Sequence, residues 1–301
     1  MKAAQFETYG GPEVLRVADV PEPHAGPGQI RIAVKAAAVN PADYKTRAGY
    51  MQALRTLEFP AGLGAEGSGI VDELGEGVTD VALGDEVFGL GSGLFAEYAV
   101  LDVWAEKPKA MSFNEAAAIA SGAEASARLL KLASVQRGQT ILVSGAAGGL
   151  GSSLVQLAKR QGVTVIGTAT EPKHDYLRAL GAVPTTYGEG LVGRIRELAP
   201  HGVDAAFDIA GSGVLPELIE ITGDTSKVAT VIFAESKKAD VLSTFARSEH
   251  AHEALRDVAR AVDEGKFRMH IDRTFPLDEV GEATTYVSER RTLGKSVVVI
   301  S

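Results

Sequence analysis

The chain has 301 residues, enough for two domains, and its 45% hydrophobic and 23% charged residues are ordinary for a water-soluble globular protein. A net charge of −9 with no basic stripe argues against nucleic acid as a partner, and the absence of cysteine excludes disulfides, thiolate catalysis and any metal site built on sulfur. Met1 to Phe6 lacks the apolar core of a signal peptide, and apolar runs such as Ala33 to Val39 are too short to span a bilayer, so a soluble, cytoplasmic protein with no membrane partner is expected.

The first hundred residues read as short strands punctuated by glycine. Gln29 to Lys35 and Phe95 to Val100 alternate polar and apolar residues, while Gly69 to Val71 and Asp85 to Gly89 are short apolar strands between turn residues. This pattern predicts a compact, barrel-like β domain. Ser112-Phe113-Asn114-Glu115 has the spacing of a capping box and opens an alanine-rich helix. Strands and helices alternate from there. Strands are predicted at Thr140–Ser144, Thr164–Thr168, Ala205–Ile209 and Val228–Phe233, and helices at Ser152–Gln161, Lys173–Leu180 and Leu191–Leu198. Such alternation predicts a doubly wound parallel sheet. A helix over Glu249–Val262, a charged strand over Arg268–Asp272 and an apolar strand over Ser296–Ile300 complete the pattern.

The strongest motif lies between Ile141 and Ser152. An apolar strand runs into Gly145-Ala146-Ala147-Gly148-Gly149-Leu150-Gly151, and this turn opens an amphipathic helix. Ala146, Gly148 and Gly151 take the three positions of a dinucleotide fingerprint, where small residues let the backbone approach a diphosphate and the helix N-terminus faces it. The backbone of Ala147, Gly148, Gly149, Leu150 and Gly151 is therefore expected to bind the cofactor. The second strand ends Thr168-Ala169-Thr170 with no acid to hold a ribose diol, and Lys173 and Tyr187 follow. Hydroxyls and a cation suit a 2′-phosphate, which points to NADP(H); Glu171 weighs against it, because a carboxylate repels that group.

With those residues in view, the chain resembles the medium-chain dehydrogenase/reductases of the zinc-free, quinone oxidoreductase (zeta-crystallin-like) group. The resemblance rests on Gly10-Gly11-Pro12-Glu13-Val14-Leu15, Val39 to Lys45, Gly64-Ala65-Glu66-Gly67-Ser68-Gly69, Gly84 to Gly89, the Ala146 to Gly151 turn, and the tail from Phe275 to Val280 and on to Gly294-Lys295. It covers essentially the whole chain. It implies an α/β fold, with a GroES-like β-rich catalytic domain (1–118 and 249–301) and a Rossmann doubly wound parallel-sheet domain (119–248). The positions that hold catalytic zinc in other branches fall on Asn40, Ala65 and Ser121. An amide, a methyl and a hydroxyl do not make such a site, so no metal is expected.

The resemblance further implies a homodimer that transfers hydride from NADPH to a small-molecule quinone or enone, with the nicotinamide in a cleft between the domains. Tyr44, Lys45 and Tyr50 become the candidate catalytic residues, as hydrogen-bond or proton donors to the acceptor. Asn40 contacts the nicotinamide ribose or orders its loop, and Asp43 orients the loop. Ser126, Gly211, Phe233 and Arg290 are carried over as further cofactor contacts, with Arg291 an alternative to Arg290 at the 2′-phosphate.

Rival readings are weaker. The six histidines are scattered, and His250 and His252 point to different faces of a predicted helix. No tyrosine has lysine four residues later, which removes a short-chain dehydrogenase. An NADPH-binding sensor or structural protein with little turnover remains, as does an enoyl-thioester reductase.

Overall fold

In the computed structural model, residues 1–52, 56–244 and 247–300 are described. The chain divides into two compact units, Met1–Ser121 with Leu255–Ser301, and Gly122–Ala254. In chain order the first unit supplies β1 (Lys2–Phe6), β2 (Arg16–Asp19), β3 (Ile30–Val39), α1 (Pro41–Arg47), β4 (Ala61–Gly62), β5 (Glu66–Leu74), β6 (Glu86–Ser92), β7 (Tyr98–Glu106) and α2 (Phe113–Ala117). Helix α3 (Ala120–Leu132) runs on into the second unit. There follow β8 (Thr140–Ser144), α4 (Gly149–Arg160), β9 (Thr164–Thr168), α5 (His174–Ala179), β10 (Val183–Thr185), α6 (Leu191–Leu198) and β11 (Ala205–Asp208). Next come α7 (Leu215–Thr222), β12 (Val228–Thr230), α8 (Phe233–Ala239) and β13 (Leu242–Ser243). The chain returns through α9 (Ala251–Asp263) to β14 (Ile271–Pro276), α10 (Val280–Ser288) and β15 (Lys295–Val299).

In the first unit, a six-stranded sheet of order β14-β15-β3-β5-β6-β7 curls until β3 also pairs with β7, closing a small barrel. Strand β3 is long enough to take β7 along Ile30–Ala33 and β15 along Ala36–Val39 on the same edge. Strand β5 lies on its other edge, with bulges at Arg31/Ile32 and Val34/Ala36. Gly69 permits that approach, because a Cβ there would lie 2.2 Å from the Ala33 carbonyl oxygen. Inward-facing Ile30, Ile32, Val34, Phe95 and Leu101 form the barrel core with Phe6, Phe275 and Val298. Burying each such aliphatic side chain contributes about 1.5–3 kcal/mol. The capping box is present: the Ser112 N–H donates to Glu115 Oε2 (2.9 Å), and the Glu115 N–H donates to Ser112 Oγ (3.3 Å).

The second unit is a six-stranded sheet of order β10-β9-β8-β11-β12-β13, parallel throughout. Its strands are near-continuous apolar runs, as burial on both faces requires. Leu142, Ile166 and Ala206 from the strands pack with Leu191, Ile195 and Leu218 from the helices. The order reverses between β8 and β11, the switch point at which doubly wound sheets bind ligands beyond the carboxyl ends of their strands.

Some predicted bounds move. The strand predicted over Val228–Phe233 is β12 to Thr230 alone, and Phe233 is the first residue of α8. Thr230 Oγ1 accepts from the Ile232 N–H (3.0 Å), and the Ile232 carbonyl then accepts from Glu235 and Ser236, so the chain turns into a helix. A short apolar run does not distinguish the two structures by period. Lys173 closes a 3-10 turn before α5 and does not begin a helix; the charged strand predicted over Arg268–Asp272 is β14, displaced to Ile271–Pro276.

Candidate functional site

The glycine-rich turn sits at the carboxyl end of β8. Gly145 turns with φ +82°, and its N–H donates to Thr168 Oγ1 (3.3 Å), while the Ala146 N–H donates to the Thr168 carbonyl (3.1 Å). Thr168, one of the predicted cofactor residues, is thus buried and braces the turn from the neighbouring strand. Ala147 is buried as well. The Gly148 N–H is spent on the Gly145 carbonyl (3.3 Å), and Gly148 is the extended N-cap of α4. The N–H groups of Gly149, Leu150 and Gly151 therefore open a 12-residue helix with no acceptor inside it. Gly151 is pinned against the turn; a Cβ there would lie 2.2 Å from the Gly145 oxygen and 2.7 Å from the Ala146 Cα. N–H groups without an acceptor at a helix N-terminus, opened by glycines, fit a diphosphate.

Beyond β9, Ala169 is buried and donates its N–H to the Thr185 carbonyl (3.0 Å). Thr170 is exposed and opens the 3-10 turn Glu171–Lys173, with Lys173 half-buried at its end. No acid stands before this turn. Tyr187 is exposed in the loop after β10, and Arg194 braces that loop, donating to the carbonyls of Thr186 (3.0 Å) and Glu189 (2.8 Å). Arg194 was not legible as a site residue, since its side chain meets the loop only through backbone oxygens.

A row of polar residues ends the apolar strands. Thr168, Ser144, Asp208 and Thr230 are paired across β9, β8, β11 and β12, and all four are buried. Asp208 Oδ1 accepts from the Gly211 N–H (2.9 Å) and Oδ2 from the Thr230 hydroxyl (3.2 Å), fixing the left-handed turn at Gly211 (φ +61°). Sequence reasoning passed over Asp208; its signal was a single acid ending an apolar strand. Ser126, on α3, is buried, and its Oγ has no partner among the described residues.

The first unit carries the other candidates. Asn40 joins β3 to α1 and caps the helix, its N–H donating to Asp43 Oδ2 (2.7 Å). Asp43 Oδ1 accepts from the Gly64 N–H (3.1 Å), so this buried carboxylate ties α1 to the turn before β5. Burial pushes its pKa up to about 6, against the two N–H groups and Lys295, which lower it. The Asn40 side chain faces inward: Nδ2 donates to Glu66 Oε1 (2.9 Å), and Lys295 Nζ donates to Asn40 Oδ1 and Glu66 Oε1. Glu66 Oε2 accepts from the Ser121 N–H (2.7 Å). Asn40 and Ser121, two of the three positions aligned with a zinc site, thus meet around a buried carboxylate and ammonium that the sequence did not reveal. Tyr44 is half-buried against the barrel core, Lys45 is half-buried beside it on α1, and Tyr50 is 76% exposed just after the helix. Arg290 also belongs to this unit, exposed after α10 with a left-handed backbone. Among the described residues, no group of three or more histidine, aspartate or glutamate side chains could hold a metal ion, and no helix is long and apolar enough to cross a membrane.

A closed β unit joined to a doubly wound parallel unit is the architecture of the medium-chain dehydrogenase/reductases. Residues 26–108 match the alcohol dehydrogenase GroES-like domain, and residues 180–298 match the zinc-binding dehydrogenase family. The chain is 31% identical over 326 residues to quinone oxidoreductase of Pseudomonas aeruginosa, covering 99% of each protein. It is 30% identical over 316 residues to 2-methylene-furan-3-one reductase of Solanum lycopersicum, covering 99% of this chain and 79% of that one. It is also 34% identical over 304 residues to the pikromycin polyketide synthase component PikAII of Streptomyces venezuelae; these are 93% of this chain but only 8% of that protein. The solved quinone oxidoreductase of Coxiella burnetii superposes with a TM-score of 0.85 at 30% identity, covering 100% of this chain and 99% of that one. A mycobacterial protein solved in complex with NADPH gives 0.86 at 28% identity, covering 99% and 100%. The chain belongs to the quinone oxidoreductase family of medium-chain dehydrogenase/reductases.

Proposed function

We propose that the protein binds NADPH on its second unit and reduces a quinone or an α,β-unsaturated carbonyl compound. The observation that carries this reading is the end of the β8–α4 turn, where the N–H groups of Gly149, Leu150 and Gly151 have no acceptor inside the helix. Beside it, β9 ends on Thr168-Ala169-Thr170 with no acid and is followed by a turn carrying both Glu171 and Lys173. Diphosphate binds at the helix N-terminus, and Thr170, Lys173 and Tyr187 receive the adenosine 2′-phosphate. The turn at Gly211 and the α8 start at Phe233 offer backbone groups to the nicotinamide amide, and Ser126 Oγ offers a buried hydroxyl. Arg290 remains the outlying candidate for the 2′-phosphate.

Bound NADPH supplies the hydride. The amide, methyl and hydroxyl of Asn40, Ala65 and Ser121 offer no sulfur or imidazole ligand, so the acceptor must carry its own electron sink, as an enone or quinone does. Hydride arriving at the β-carbon leaves an enolate. Tyr44, Lys45 and Tyr50 are the residues assigned to donate a hydrogen bond or proton to its oxygen, and a single well-placed donor of this kind contributes about 10²–10³ in rate. The quinone oxidoreductase and furanone reductase relatives support this acceptor class. A cytoplasmic homodimer is part of the same reading.

The test is absorbance loss of NADPH or NADH with a panel of quinones and enals, on chelator-treated protein. Rapid NADPH oxidation with at least one acceptor is expected; binding of NADPH without turnover across the panel overturns the reading in favour of a sensor. The 34% identity to a polyketide synthase component favours a second substrate class, the enoyl thioesters, so a crotonyl-pantetheine thioester belongs in the panel.

A further inference from the structure

Asparagine can present its side-chain amide either way round, with the oxygen or the nitrogen toward a given neighbour. At Asn40 the surroundings admit one choice. Glu66 is completely buried and, as a carboxylate, only accepts; Lys295 is buried and, as an ammonium, only donates. The nitrogen faces Glu66 and the oxygen faces Lys295. Reversal would break both bonds and set the amide NH₂ against the ammonium and the carbonyl against the carboxylate. The second hydrogen of Nδ2 points back to the Ala38 carbonyl (3.5 Å). A carbonyl oxygen accepts two hydrogen bonds, so what Asn40 retains for a ligand is one acceptor position on Oδ1. Asn40 itself is half-buried and therefore reachable.

We propose that Lys295 and Glu66 are positioning residues that fix the polarity of the Asn40 amide, so that Asn40 selects a ligand group that donates a hydrogen bond. The ligand chemistry is a hydroxyl; its source is the ribose of the dinucleotide or the substrate, and the assignment to the dinucleotide rests on the proposed function. The ion pair suits this role. Both partners are removed from water, which makes the pair weak evidence for stability in its own right and gives a buried polar cluster its value in specifying one arrangement. The charges also arrive from distant parts of the chain, at the head of β5 and the head of β15, so the amide is held by the closed barrel and not by its own loop.

The test uses the neutral pair Lys295→Met/Glu66→Gln, which avoids stranding one buried charge, together with Asn40→Ala and the triple variant. Dissociation constants for NADPH come from fluorescence titration, and KM and kcat from the best acceptor. The neutral pair should keep a cooperative thermal transition and weaken NADPH binding about tenfold, the size of one hydrogen bond. Asn40→Ala should then cost nothing further in that background, because all three residues act through one amide. Full additivity, or a neutral pair in which neither NADPH affinity nor acceptor KM changes, overturns the proposal. If NADPH affinity holds while acceptor KM rises non-additively, the hydroxyl belongs to the substrate. In the ligand-free wild type, the Asn40 NH₂ resonances provide a readout independent of any activity. The Nδ2 proton that Glu66 accepts is expected well downfield of its partner, and this separation should shrink toward that of a free asparagine amide in the neutral pair. A wild-type separation no larger than that of a free asparagine amide overturns the positioning role even if NADPH reduction proceeds, whereas a large separation without NADPH binding overturns only the proposed function.

Discussion

Asp43 makes the stability of the first unit depend on pH in an unusual direction. Its carboxylate is buried, and burial raises its pKa from 3.8 to about 6. Between those values the folded protein holds a proton that the unfolded chain releases. The contribution of Asp43 to stability is therefore greatest below about pH 4, falls as pH rises to about 6, and is level above that. A displacement of this size corresponds to about 3 kcal/mol. Asp43→Asn cannot ionise and removes the slope. The variant also sets an amide NH₂ against either the Asn40 or the Gly64 N–H, which costs about 1–3 kcal/mol at every pH. Urea unfolding of both proteins from pH 4 to 8 measures the difference directly. The wild type should lose about 3 kcal/mol of its advantage over the variant between pH 4 and 6. Parallel stability curves would show that the carboxyl titrates as it does in the unfolded chain, and the reasoning would fail.

Gly151→Ala should lower stability by about 1–3 kcal/mol and weaken NADPH binding at least tenfold, because its Cβ has only backbone atoms to displace; thermal unfolding and fluorescence titration check both. Lys173→Ala should weaken NADPH about tenfold and leave NADH unchanged, measured as the ratio of the two dissociation constants. Asp208→Ala leaves the Gly211 N–H and the Thr230 hydroxyl without their acceptor and should cost about 1–3 kcal/mol in urea unfolding, with a normal m-value.

The β8–α4 turn was legible because every part of it is local. An apolar run, small residues and an amphipathic helix follow one another within a dozen positions, and each obeys its own short-range rule. The parallel order of the second sheet was legible for the same reason, since strand–helix alternation dictates it. The polar cluster around Asn40 was not. Glu66 lies 26 residues from Asn40, and Lys295 lies 255 away, so only the pairing of β3 with β5 and β15 brings them together. A lysine in a tail motif reads as solvated until that register is known. Phe233 failed differently: its apolar neighbourhood fits a strand as well as a helix start, and the deciding contact is the Thr230 hydroxyl on the Ile232 N–H.

The pairing of β15 with β3 also governs the order of assembly. Residues 36–39 find their partners at 296–299, after the whole second unit has been made. Until then one flank of a ten-residue, largely apolar strand offers bare N–H and carbonyl groups over its last four positions, the kind of open edge that recruits the wrong strand. On the ribosome, the first unit to begin is the last to close, and a chaperone that shields β3 during that interval should raise the yield of folded protein more than one that acts after release.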